Sequence, residues 1–145
     1  MDCEILSASD CPIGRGIARV GDGWSMLVLR DIARGVHRFD ALQKGLGIAP
    51  NVLTRRLAAL VGNGVLERRR YSERPPRHEY VLTGRGRDYL PVLYALSAWG
   101  ERHFGKGETM RLVAADGHVV QPLVIDAVSG EPLSRMELQV KPATP

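Results

Sequence analysis

Several things are missing from this chain of 145 residues. It has only two cysteines, Cys3 and Cys11, both near the N-terminus. Two thiols at one end do not make a disulfide framework, so the fold has to rest on a hydrophobic core. No apolar run approaches the roughly 18 residues of a membrane span. The opening residues, MDCEILSASDCP, carry acids and no basic stretch ahead of an apolar one, unlike a secretory signal. A cytoplasmic protein with no membrane partner is expected. His37, His78, His103 and His118 are scattered, without the spacing of a metal or catalytic pair. GRGIARVGDG, residues 14–23, lacks the dinucleotide-binding spacing and follows no predicted strand. No nucleophile–base pair, phosphate loop or metal triad is visible, so neither an enzyme nor a cofactor is expected.

What the chain does have is unevenly placed positive charge. Lys and Arg number 20 against 16 Asp and Glu, a formal net of +4 with a pI of about 9.4. From Arg38 to Arg87 there are 11 basic and 4 acidic residues, a net of +7, whereas from Lys106 onward there are 4 and 5, a net of −1. A basic middle third points to a polyanion.

PIGRGIARV predicts a short helix with Ile13, Ile17 and Val20 on one side, ended by GDG. WSMLVLRDIARG predicts a second, with Trp24, Leu27, Val28 and Ile32 as its apolar stripe and Gly35 just past its end. RFDALQKGLG gives a third, with Phe39, Leu42 and Leu46 inward. APNVLTRRLAALVGNG gives a fourth, with Pro50 in its first turn and Leu53, Leu57, Leu60 and Val61 buried. VLERRRY and HEYVL alternate as strands around a loop, SERPPR. Thr83 is placed to cap a long helix from Gly84 to about Phe104, with a kink or restart at Pro91. Residues 1–10 are expected as a flexible arm and 11–105 as the main domain. Residues 106–145 are expected as a small β-ribbon-like extension with a frayed end, turning at Asp116-Gly117 and again at SGEPL.

Short helices, a two-stranded hairpin and another helix give the order of a winged helix-turn-helix, a mostly α fold with a small β-wing. In that fold the second helix of the pair enters the major groove of DNA and the hairpin reaches phosphates or the minor groove. Opposite the leucine stripe of the fourth helix lie Asn51 and Arg55, with Ala58 and Ala59 beside them and Thr54 and Arg56 on the flanks. Arginine can chelate guanine and asparagine can pair with adenine. An ordinary solvated helix face reads the same way; the adjacent arginine-rich hairpin favours DNA. Pro75 and Pro76 stiffen the hairpin tip while Arg74 and Arg77 supply charge. Arg38, at the start of the helix pair, and Arg70, on the strand, complete the candidate contacts. Arg68, Arg69 and Arg70 alternate faces, so Arg68 and Arg70 share one side.

The chain resembles the HxlR family of bacterial winged-helix transcriptional regulators over Cys11 to about His103. The resemblance is carried by CPIGRGIARVGDGWSMLVLRDIARGVHRFDAL, IAPNVLTRRLAALVGNGVLERRRY and PPRHEYVLTGRGRDYLPVLYALSAWGERH. It implies a homodimeric DNA-binding regulator. Two symmetric recognition helices and wings suit a palindromic site on double-stranded operator DNA, where repression by occluding a promoter is expected and activation stays open. Dimer contacts are implied from the first helix, through Ile13 and Ile17, and from the long helix, through Leu90, Leu93, Leu96 and Trp99. It also implies Cys11 as a thiol that senses oxidants or electrophiles. The chain departs from the family at Ala49, where a capping serine is common, at Gly23, where a basic residue is common, and at Gly84 in place of proline. Some relatives carry a zinc-ribbon-like extension with paired cysteines. Here Asp116, Asp126 and Ser129 stand where cysteines could have been, so a ribbon without metal is expected.

Three alternatives stay open. Cys11 reads equally as a packed structural thiol, and Cys3 either as a passenger or as its resolving partner. Tyr94 and Trp99 could line an effector pocket, although their place beside a leucine stripe favours core or dimer interface. The whole domain could also serve as a winged-helix module for protein or RNA contacts, without sequence-specific DNA readout.

Overall fold

Among the described residues eleven apolar side chains form the core: Val20, Val28, Leu29, Ile32, Leu42, Ile48, Leu53, Leu57, Leu60, Val65 and Leu66. All of them lie before residue 67. The structure, a computed structural model, describes residues 3–8, 10–106 and 110–142, with the side chains of residues 3, 4 and 6 outside that set. The reading of Cys3 as partner to Cys11 therefore lies outside the described residues. The helices are α1 (Cys3–Ala8), α2 (Pro12–Val20), α3 (Gly23–Ala33), α4 (Phe39–Leu46), α5 (Pro50–Gly62) and α6 (Gly84–Phe104). Between α5 and α6 come strands β1 (Leu66–Glu73) and β2 (Pro76–Leu82), and a short 3-10 turn spans Leu133–Arg135. This is a winged helix-turn-helix with a two-stranded wing. By contacts the chain divides into two compact units, meeting between Leu90 and Pro91.

Within the first unit the expected helices form close to their expected bounds. Asp22 caps α3 by accepting the Ser25 N–H (3.2 Å), and Gly35 follows its end in the left-handed region (φ 95°). The buried stripe of α3 corrects the sequence reading. Ser25, Val28, Leu29 and Ile32 face inward, while Trp24 and Leu27 are partly exposed. Both rows are largely apolar and share Val28 and Ile32, so helical spacing alone does not choose between them. On α5, Leu53, Leu57 and Leu60 are buried as expected and Val61 is half-buried. Each fully buried leucine contributes about 1.5–3 kcal/mol.

The wing is longer than its arginines and prolines suggested. β1 and β2 pair antiparallel from Leu66↔Leu82 to Glu73↔Pro76, leaving Arg74 and a cis-linked Pro75 as the turn. Proline is tolerated because Pro76 is the first residue of its strand, where a missing N–H breaks little. A register shift between Arg70 and Ser72 leaves Tyr71 as the bulged residue. β2 is tied to the α3–α4 loop by a reciprocal pair: Tyr80 N–H donates to the His37 carbonyl (2.8 Å), and His37 Nδ1 meets the Tyr80 carbonyl (3.0 Å).

Thr83 performs the expected cap. Its hydroxyl accepts the Gly86 N–H (3.1 Å) and donates to the Gly64 carbonyl (2.6 Å). Gly86 is buried there for a steric reason: a Cβ would stand 2.2 Å from the Val65 carbonyl oxygen. α6 is one helix through Pro91, so of the expected kink or restart the restart does not occur.

In the second unit the described residues after α6 turn where expected but do not build strands. Two isolated antiparallel bridges, Val113↔Val119 and Ile125↔Pro132, bracket the two turns. Prolines 122 and 132 carry no N–H, and turns recur too closely for a ladder to lengthen. Asp116 accepts the His118 N–H (3.2 Å) and meets His118 Nδ1 (2.6 Å). Asp126 accepts from the Ser129 hydroxyl (2.7 Å) and N–H (2.9 Å). These bonds hold both carboxyls below the usual carboxylate range. Among the described residues no group of three or more His, Cys, Asp or Glu could hold a metal ion.

Candidate nucleic-acid interface

Burying Leu53, Leu57 and Leu60 fixes the rotation of α5. Asn51, Thr54, Arg55, Ala58 and Ala59 are consequently exposed. Small alanines on that face let the backbone approach a flat or grooved surface closely. Ala49 makes no side-chain cap, and Pro50 occupies the first turn. Arg55 has no ion pair among the described residues, so its guanidinium is available to an external acceptor.

Two neighbours on α5 behave differently. Thr54 donates its hydroxyl back to the Pro50 carbonyl (2.9 Å), a local bond that occupies its proton. Arg56 turns away from the outward face: its Nη2 pairs with Asp22 Oδ2 at the head of α3, and its Nε is buried without a partner. The same carboxylate caps α3, so Arg56 clamps α5 to the preceding helix.

The wing carries the rest of the charge. Arg69 pairs with Glu79 across the strands (2.8 Å). On the opposite face Arg68 Nη2 stands 3.3 Å from His78 Nδ1, and Arg70 lies opposite His78 in register. A guanidinium only donates, so this His78 nitrogen is the acceptor. Desolvation first, then Arg68 and Arg70, push the His78 pKa below its ordinary value. Arg70 also pairs with Glu73 (3.1 Å). Arg74 and Arg77, at the tip, are exposed and make no ion pair among the described residues. Arg38 joins helix pair and wing, its guanidinium 4.6 Å over the Tyr71 ring.

Arg55, Arg74 and Arg77 thus present open cations, Arg38 and Arg70 are engaged but exposed, and Arg56 is held inward. Sequence reasoning did not find Tyr71, His37 or Asp22. Tyr71 ends an alternating run and could have been flagged as a bulge; Asp22 and His37 have partners far along the chain that no local period marks.

Of the remaining site residues, Cys11 occupies the N-cap position of α2 with its side chain exposed, and its carbonyl accepts the Arg15 N–H (3.1 Å). Ile13 (72% exposed) and Ile17 are uncovered on α2. On α6, Leu90 and Leu93 are half-buried while Leu96 and Trp99 (55%) are exposed. Trp99 packs edge-on to Phe104 (ring centres 5.2 Å apart) and near His103. Among the described residues no helix is long and apolar enough to cross a membrane.

Comparison with known proteins agrees with this geometry. The profile of the HxlR-like helix-turn-helix family matches residues 19–108. The HTH-type transcriptional regulator Rv3095 of Mycobacterium tuberculosis, itself uncharacterised, is 41% identical over 96 residues, 66% of this chain. Those residues span only 61% of that relative's length. Among solved structures, PA1607, a candidate transcription factor, superposes with a TM-score of 0.84 at 39% identity, covering 93% of this chain and 96% of its own. The redox regulator HypR in its reduced form superposes with a TM-score of 0.59 at 28% identity, covering 63% of this chain and 92% of its own.

Proposed function

The chain belongs to the HxlR-like helix-turn-helix family of transcriptional regulators, and we propose that it represses transcription as a homodimer bound to a palindromic operator. In this reading α5 lies in the major groove, where Arg55 and Asn51 read base edges. Arg74 and Arg77 at the wing tip take phosphates or the minor groove. Two copies meet successive major grooves about 34 Å apart. The observation that carries the reading is the division of labour on α5. Asn51 and Arg55 face outward among alanines, while Arg56 beside them is tied to Asp22.

Dimer contacts come from Ile13 and Ile17 on α2 and from the exposed side of α6, which leaves Leu96 and Trp99 uncovered. Cys11, exposed at the head of α2, is the place where oxidation or alkylation alters the spacing of the two recognition helices. The likeness to the redox regulator HypR supports that role.

The test is selection of bound duplexes from a random library, followed by fluorescence anisotropy on the recovered site. A recovered palindrome bound by a dimer is the expected result. Binding without any sequence preference would favour a winged-helix module for RNA or protein contacts. For Cys11, diamide should change the affinity of wild type and leave Cys11→Ser unaffected. An equal response of the two proteins removes Cys11 as the sensor.

A further inference from the structure

α6 and the segment after it form a recess within the second unit. Two grooves of about 370 and 330 Å³ share Tyr94, Leu112, Val120 and Pro122 as walls, so they are two ends of one recess. Each lies within the range of about 300–1,000 Å³ that takes a small molecule. All four shared side chains are half-buried. Backbone bonds hold part of the wall. The Val120 N–H donates to the Leu112 carbonyl (2.8 Å), and the Val113↔Val119 bridge stands beside it. These two walls therefore keep a fixed separation.

The two ends differ in chemistry. Ser97, Arg102, Arg111 and Gln121 line the larger end, together with one carboxylate, Glu101. At the smaller end Ala95, Leu123 and Ile125 join the shared walls, and no charged side chain lines it among the described residues. Arg102 and Arg111 are exposed, and neither makes an ion pair among the described residues. Two arginines against Glu101 leave the larger end with one net positive charge. A monoanion balances that charge, a dianionic phosphate ester exceeds it, and a cation is repelled. The planar fork of arginine matches the two oxygens of a carboxylate. The smaller end suits an uncharged, apolar body, which gains by leaving water.

We propose that this recess binds a small carboxylate with an aryl or alkyl body. The carboxylate sits on Arg102 and Arg111, and the body lies between Tyr94, Leu112, Val120 and Ile125. Tyr94 supplies an aromatic face. Trp99, on the same helix, packs against Phe104 instead. The site goes beyond the DNA-binding reading above and requires neither a dimer nor an operator.

The test is isothermal titration calorimetry of the full chain with 2-naphthoate, 3-phenylpropanoate and octanoate, each beside its neutral amide. At least one carboxylate should bind once per chain with a submillimolar Kd, and its amide roughly tenfold more weakly. Arg102→Gln with Arg111→Gln should weaken that carboxylate roughly tenfold or more and leave the amide unchanged, a pattern that lost packing does not give. Both arginines are exposed, so far-UV circular dichroism should be unchanged. Ala95→Phe narrows the apolar end and should weaken acid and amide alike. The proposal is overturned if no carboxylate binds below about 1 mM, if the carboxylate binds no better than its amide, or if the glutamine pair binds it as tightly as wild type. Binding that appears only as the chain is diluted means that a second copy fills the recess. A glutamine pair that loses affinity for random duplex yet keeps the carboxylate means that the arginines serve nucleic acid. Either result also overturns the proposal.

Discussion

The guanidinium of Arg38 lies 4.6 Å over the ring of Tyr71, so the residue that precedes α4 rests on the bulge of the wing. The helix pair and the wing, which the proposed reading brings to DNA, are thereby coupled by a cation–π contact at an exposed site, worth about 0.5–1 kcal/mol. Tyr71→Leu should leave thermal stability nearly unchanged, since the His37–Tyr80 bonds still hold β2, and weaken operator binding severalfold, because Arg38 loses its fixed position over the bulge. Tyr71→Phe keeps the ring and should keep the affinity. Anisotropy titrations with melting curves check both. Equal affinity of the leucine and phenylalanine variants would remove the coupling role.

Adjacent arginines on α5 should separate cleanly. Arg55→Ala should cost about 1–3 kcal/mol on the operator, relax base preference and spare stability. Arg56→Ala should act the other way, since Asp22 loses its partner. That ion pair is partly exposed, so the loss is at most about 1 kcal/mol of folding stability. Arg74→Ala and Arg77→Ala should weaken operator and random duplex alike and flatten the salt dependence. Urea denaturation paired with salt-dependent titrations distinguishes the three outcomes.

Two glycines near the start of α6 should differ sharply. A Cβ at Gly86 would meet the Val65 carbonyl oxygen at 2.2 Å, and backbone cannot yield as a flexible side chain would. Gly86→Ala should destabilise by roughly 2 kcal/mol or more. At Gly84 a Cβ would meet nothing within 4 Å, so Gly84→Ala should be neutral or mildly stabilising. Denaturant midpoints measure both. A neutral Gly86→Ala would mean that α6 and the backbone just ahead of β1 can part without cost.

The contrast between these glycines marks what the sequence could and could not convey. The leucines of α5 recur at helical spacing and fix its rotation, so Asn51 and Arg55 could be placed outward from the sequence alone. Thr83 was legible as a cap, but not the approach of Val65 that makes Gly86 necessary. On α3 the period was right and the phase was not. Trp24 and Leu27 are as apolar as Leu29, and nothing local says that Ser25 belongs inside. Arg56 looked like a flanking DNA contact because its partner, Asp22, sits on another helix. The wing looked shorter than it is because arginine and proline are poor strand formers, although register with β2 carries them. Beyond α6 the turns at Asp116-Gly117 and at SGEPL were legible from their turn-forming residues. Strands were expected there too, but the prolines leave only single bridges.

His78 offers a proton-linked test of the wing. Its Nδ1 faces Arg68 at 3.3 Å, Arg70 lies opposite it, and Glu73 pairs with Arg70. Desolvation and these arginines lower its pKa in the free protein, so it is mostly neutral at pH 7. A folded pKa below the unfolded value of about 6.5 means that His78 favours folding above that pH. That contribution is lost as pH falls through the folded pKa. DNA binding has the opposite sign. Phosphates brought to the wing offset Arg68 and Arg70 and raise the pKa, so binding takes up a proton. Operator affinity should therefore rise severalfold as pH falls from about 7.5 to 5.5, even as the fold loses a little stability over the lower part of that range. His78→Gln should flatten the affinity change and leave affinity at pH 7.5 near wild type. Anisotropy across that range at constant ionic strength, with both proteins, measures it. Parallel curves for the two would place His78 away from the phosphates and turn the basic face of the wing toward solvent.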